Sequence, residues 1–147
     1  MGVILAGTDQ DDRVRTLLDR QNIPVIQMMD IDCEPMQVAV GMSHRKAARD
    51  VAERLVSKGY RKFGYIGAWG ERPNRSRLRR VSFEERLNEL GHPLRGRLIQ
   101  AENSSVEVGL QATRRLCEDV PDLDCIFYAN DDLAVGGYFY CMSAGIP

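Results

Sequence analysis

Short apolar runs rich in branched residues alternate with amphipathic stretches of helical period along the whole of this 147-residue chain. Strands buried on both faces require such runs, and intervening helices are the usual crossovers between parallel strands. The alternation therefore predicts an α/β fold built on parallel sheets. Strands are expected at Val3 to Ala6, Pro24 to Met28, Val38 to Gly41, Phe63 to Gly67, Arg97 to Gln100 and Cys125 to Ala129. Each has about the right length for a strand covered on both sides.

Helix signals fall between these runs. From Lys46 to Lys58 the residues Ala47, Ala48, Val51, Ala52, Leu55 and Val56 recur at helical spacing, and Gly59 follows as a stop. Ser104 with Glu107 three residues on reads as a capping box before a helix bearing Val108, Ala112 and Leu116 and ending ahead of Pro121. Further helices are expected from about Ser76 to Leu90 and from Asp132 to Ala144.

In open parallel sheets ligands bind beyond the carboxyl ends of the strands, where helix N-termini point their amides. That rule directs attention to Gly7, Thr8 and Asp9, to Ser43 through Lys46, to Ala68 through Gly70, to Asn103 and Ser104, and to Asn130 and Asp131. These hydroxyls, amides and charges suit a polyhydroxylated ligand. From Asn130 to Gly136 polar strand-end groups run straight into an Ala/Gly-rich helix start that permits close approach. Asp131 or Asp132 could cap that helix, contact a ligand, or do both. Arg72, Arg75, Arg77, Arg79 and Arg80 cluster at another helix start, where one forked guanidinium could hold vicinal hydroxyls or a carboxylate while the rest are solvated. Trp69 reads as a hydrophobic plug in its loop rather than a ligand-facing ring.

Other chemistry is poorly served. Twenty basic residues nearly balance 21 acidic ones, so no net field holds the chain on DNA or an anionic membrane, and any DNA-binding role would need a separate basic module. Cys33, Cys117, Cys125 and Cys141 form no C-x-x-C pair, so they are expected as reduced thiols with no metal site. His44 is the one histidine beside a strand end, and it has no evident acid and nucleophile around it. No G-x-S-x-G, P-loop or G-x-G-x-x-G is present, so neither catalysis nor a cofactor is expected. No signal segment or apolar run of membrane-spanning length occurs, which points to a cytoplasmic protein.

Three motifs in order then resemble the LacI/GalR family of transcription repressors. A helix ending Leu55-x-x-x-Gly59 runs into the apolar strand Phe63 to Gly67, with Tyr60 where the family usually has histidine. Arg79 to Phe83 matches Arg-x-x-Gly-Phe with Ser82 in the glycine's place, and Asn130 to Gly136 matches Asn-Asp-x-x-Ala-x-Gly intact. Within the family, Ile4 to Thr8, Ser104 to Gly109 and Asn130 to Gly136 look most like the gluconate repressors.

The resemblance implies a two-lobed, periplasmic-binding-protein-like (type I) core present as a fragment, with residues 1–58 in an N-terminal lobe and 59–147 forming most of a C-terminal lobe. It implies a small sugar or sugar-acid effector, a homodimer, no membrane partner, and operator DNA read by a helix-turn-helix domain absent from this chain. Both ends look like cuts through a longer protein, so exposed strand edges and apolar faces are expected. Effector contacts carry over to Arg79, Asn130 and Asp131. Ser43 and His44 stand where many members have Asp-Asn. Ser104 replaces a stacking aromatic and would suit an open-chain acid, while Lys46 with Arg79 could balance a carboxylate; Thr8 completes the expected set. A sugar-binding protein of a transport system is the alternative, and a Rossmann-like enzyme is a third reading weakened by the missing phosphate loop.

Overall fold

The strand Phe63–Gly67 (β4) is buried at all five residues, and the second half of the chain is organised around it. The computed structural model describes residues 1–69 and 74–146. Its elements run β1 (Val3–Ala6), α1 (Asp12–Arg20), β2 (Val25–Asp30), β3 (Val38–Met42), α2 (His44–Ser57), β4, α3 (Asn74–Glu89), β5 (Gly96–Ile99), α4 (Val106–Asp119), β6 (Cys125–Tyr128) and α5 (Asp131–Ala144). Two three-stranded sheets result, ordered β1-β2-β3 and β5-β4-β6, and every strand pair is parallel. The α/β expectation is met.

Packing divides the chain into a first unit, Met1–Ala47, and a second, Ala48–Pro147. The division falls inside α2, whereas the family resemblance put it at Lys58. Most of α2 belongs with the second unit because Ala48 and Ala52, facing one way at helical spacing, pack with Phe63, Phe83 and Leu87.

In the second unit β4 has a covered face on each side. Toward α2 and α3, the Phe83 ring meets Phe127 at 4.4 Å between centroids and Phe63 edge-on at 6.1 Å. Toward α4 and α5, Ile66 packs with Ala112, Leu116 and Leu133, while Tyr65, on the Phe63 side, sets its ring 6.1 Å from Phe127. Gly64 leaves room for Leu116, since a Cβ there would lie 2.9 Å from its side chain.

The first unit is covered more thinly. The register sets Ile4 beside Ile26, Ile26 beside Val38, and Met28 beside Val40, so these apolar side chains share one sheet face. That face is open, with Ile4 66% and Val40 63% exposed. The expectation that every strand is buried on both sides therefore fails for β1, β2 and β3, while the expected exposed apolar face is present. Helix α1, which was not among the expected helices, is a short charged helix capped by Asp11, whose side chain accepts from Arg13 N, and Leu18 is its one buried residue.

Two details of helix starts differ from expectation. Ser105, not Ser104, caps α4, accepting from Val108 N. Asn130, rather than Asp131 or Asp132, caps α5 through Oδ1 to Leu133 N at 3.2 Å. Each cap has the extended backbone that a helix N-cap requires.

Candidate functional site

In the second unit the polar groups that follow β6 face the helix that follows β4. A pocket of about 560 Å³ is lined there by Arg79, Tyr128, Ala129, Asn130, Asp131 and Ala134, among others. Helix α3 supplies Arg79, whose Nη2 donates to Ala129 O at 2.8 Å and to Ser76 Oγ at 3.4 Å. Burial, which outweighs the opposing influence of Tyr65, pushes the guanidinium below its ordinary pKa, and the like charge of Arg75 adds to the shift. The group remains a cation at neutral pH, held part-way out of water at the pocket wall.

Asn130 spends Oδ1 on the cap, and among the described residues its Nδ2 makes no hydrogen bond. Asp131 and Asp132 occupy the first turn of α5, where the helix dipole favours a carboxylate. Arg79, Asn130 and Asp131 thus meet at one pocket, offering donors at one wall and an acceptor at another. Ser104 is drawn toward the same helix end by a 3.2 Å hydrogen bond from its Oγ to Asp132 Oδ2.

The small residues of α5 have a different use from the one their sequence suggests. A Cβ on Gly136 would collide with Val106 O and lie 2.5 Å from Leu110 N, and one on Gly109 would meet the Leu133 backbone. The close approach is therefore between the backbones of α4 and α5. It fixes the start of α5, with Asn130 and Asp131, against the start of α4.

The arginine cluster resolves into separate roles. Arg77 donates to Asn74 and Arg80 to Glu84, each at 2.9 Å, while Arg79 enters the pocket and Arg75 stays half-buried beside it. Arg72 lies outside the described residues. Trp69, half-buried and at φ +56, is pinned by its backbone N to Glu102 O at 2.9 Å.

The expected residues of the first unit sit at the ends of β1 and β3. Thr8 is buried and donates to Asp30 Oδ2 at 2.8 Å, and Asp30 is itself buried. His44 is also buried, with Nε2 3.1 Å from Met29 O; since a carbonyl only accepts, that nitrogen carries the proton. Lys46 is exposed on the first turn of α2, its backbone N donating to Ser43 Oγ. Sequence reasoning missed Asp32, which accepts from Ser43 Oγ at 2.5 Å and from Arg45 N at 3.1 Å, so that it and Ser43 together close the N-terminus of α2. Nothing in the local pattern marks a loop acid eleven residues upstream as a helix cap.

Among the described residues no group of three His, Cys, Asp or Glu could hold a metal ion. All four cysteines are free thiols, and burial pushes Cys125 to about 11, which keeps it protonated at neutral pH and unsuited to nucleophilic attack. Among the described residues no helix is long and apolar enough to cross a membrane.

Comparison with known proteins gives this arrangement its context. The HTH-type transcriptional regulators GntR of Pseudomonas aeruginosa and of Escherichia coli K12 are 31% and 28% identical over 99% of this chain, which spans 42% and 43% of their lengths. The crystal structure of a LacI-family transcriptional regulator from Silicibacter pomeroyi superposes with a TM-score of 0.94 at 36% identity, over 99% of this chain and 44% of that one. These relatives are transcriptional regulators, not enzymes. The family model for periplasmic binding proteins and the sugar binding domain of the LacI family matches residues 1–146, and with the parallel sheets and strand-end pocket already described, the chain belongs to that family.

Proposed function

We propose that this chain is the effector-binding part of a ligand-responsive transcriptional repressor that senses gluconate or a related sugar acid. The observation that carries the reading is the half-buried Arg79 guanidinium at a strand-end pocket it shares with Asn130 and Asp131. A guanidinium answers a carboxylate, while an amide donor and a carboxylate acceptor answer hydroxyls. Thr8 and His44 act as supports, through Asp30 and the Met29 carbonyl, whereas Lys46 offers an exposed cation. Ser104 acts through Asp132. A net charge of −1 gives the chain no field for DNA, so operator contact is assigned to a helix-turn-helix domain outside it.

Calorimetry with gluconate tests the site. Loss of a charged hydrogen bond in Arg79→Ala should weaken binding by ~1.5 to 3 kcal/mol, roughly ten- to a hundredfold. Unchanged affinity would remove Arg79 from the site.

A homodimer fits the exposed stripe of α5. Val135, Tyr138, Phe139 and Met142 follow helical spacing and are between 42% and 62% exposed. Light scattering should show the dimer and its loss in Tyr138→Glu; a monomeric parent chain would refute this assignment.

A further inference from the structure

Helices α4 and α5 meet through glycines, and their contacts advance along both helices in the same direction. Gly109 meets the Leu133 backbone, and one turn on, a Cβ at Gly137 would lie 2.9 Å from Thr113 Oγ1. The helices therefore run parallel, and one further turn in the same register sets Cys117 of α4 opposite Cys141 of α5. Packed helices ordinarily keep their axes ~8–10 Å apart. A disulfide needs Cα atoms within about 7 Å of each other, and contact through glycines supplies that closer approach.

Both thiols also open on one cavity. Cys117 and Cys141 line a space of about 660 Å³ beside β6, together with Leu123, Ile126 and Tyr128. Each is part-exposed, so a small oxidant in the cavity reaches both sulfurs. Tyr128, hydrogen bonded to Thr113 at 2.9 Å, reports the same proximity. Burial raises its hydroxyl to about 12, and Cys141 and Cys117 are near enough to add to the shift. Cys125 shares the cavity but is kept protonated by its burial, and Cys33 belongs to the first unit.

We propose that Cys117 and Cys141 form an oxidation site, at which hydrogen peroxide joins them in a disulfide that staples α4 to α5. The Cys141 thiolate attacks one peroxide oxygen; an S–O bond forms, the O–O bond breaks and hydroxide leaves, giving a sulfenic acid. The Cys117 sulfur then attacks the Cys141 sulfur, the S–O bond breaks, and the hydroxyl departs as water with the Cys117 proton. Two thiols are oxidised and one peroxide is reduced to two waters, the second formed from the hydroxide and the proton given up by Cys141. Cys117 takes the resolving role because burial pushes its thiol up and delays its ionisation. Both residues lie in the last turn of their helices, so the bond closes the end of the pair remote from the Gly109 and Gly136 contact. Oxidation then holds the two helices together along their whole length.

Peptide mapping of the folded chain after hydrogen peroxide treatment, with remaining thiols blocked by iodoacetamide, tests the site. The expected product is an intrachain link between Cys117 and Cys141 that removes the mass of two hydrogens and is reversed by dithiothreitol. The link should raise the thermal midpoint by roughly 5 to 10 °C. Cys125→Ser should keep the link, whereas Cys117→Ser and Cys141→Ser should each abolish it. Should a serine variant fail to fold, the map of the parent chain still decides. A link to Cys125, a link only between two chains, or no link in a chain that circular dichroism shows to be folded overturns the proposal. Cys141 accumulating as sulfinic acid beside a reduced Cys117 also overturns it, since the second thiol is then out of reach. A link that forms only in denaturant, or that leaves the midpoint level or lower, overturns the staple.

Discussion

The two units are built from the same parts, three parallel strands and their helices, yet they differ in how their apolar surface is used. In the second unit β4 is buried along its whole length between two helical layers. In the first, the row Ile4, Ile26 and Val38 is paired in register but lies open, and α1 contributes only Leu18 to burial. A pattern of branched apolar residues thus secures strand pairing without securing cover, because cover depends on what packs above the sheet. The polar strand ends differ in parallel. The second unit leaves Arg79, Asn130 and Asp131 around a pocket, whereas the first ties Thr8 to Asp30 and His44 to Met29.

The sharpest way to break this contrast is to truncate matched apolar side chains. Phe83→Ala removes a fully buried ring from the second unit and should cost ~3–5 kcal/mol, measured by denaturant unfolding. Ile26→Ala, on the open face, should cost under about 1 kcal/mol. Equal losses would mean that the first unit's sheet is covered after all.

A smaller effect is expected where the second unit depends on backbone contact. Gly136→Ala places a methyl against Val106 O and the Leu110 amide, so α4 and α5 must separate. Overpacking of this kind should cost ~1–3 kcal/mol and should weaken effector binding as the start of α5 shifts. Unaltered stability together with unaltered binding would show that the helix pair does not position Asn130 and Asp131.

The smallest effect concerns the surface clamp between α2 and α3. Glu89 accepts from Arg49 Nη2 at 2.7 Å and from Arg86 Nη1 at 2.5 Å, and Arg86 also pairs with Glu53. Hydrogen bonds from Arg49 and then Arg86 hold the Glu89 carboxyl at about 2, below its ordinary 4.5. A depressed acid contributes stability above its unfolded-state value and loses it as the pH falls from about 4.5 toward 2. The group is exposed, so the effect is small and screened by salt. Carboxyl NMR titration should find a low midpoint for Glu89 that rises in Arg49→Gln; an ordinary midpoint in the parent would dissolve the clamp.

Elements with strong period or strong chemistry were legible in the sequence. The apolar run Phe63 to Gly67, the helical spacing from Ala48 to Val56 and the polar strand end at Asn130 each state their role locally. Helix α1 went unread although Val14, Leu17 and Leu18 recur at helical spacing, because the stripe is confined to nine residues and only Leu18 is buried. The cap of α4 moved by one residue because Ser104 and Ser105 are chemically alike, and only the backbone path decides which hydroxyl meets Val108 N.

By itself the sequence determined the α/β class, the parallel order that crossover helices impose, and the residue types available at each strand end, because these follow from period and chemistry within short windows. Tertiary structure alone decided which polar groups remained for a ligand. Arg79 reaches the pocket while Arg77 and Arg80 are spent on neighbours, and Thr8 and His44 are consumed by Asp30 and Met29. Tertiary structure likewise turned Gly109 and Gly136 into the contact between two helices. The physical reason is that hydrogen-bond partners and close approaches join residues far apart in the chain, and no local pattern encodes the distance between them.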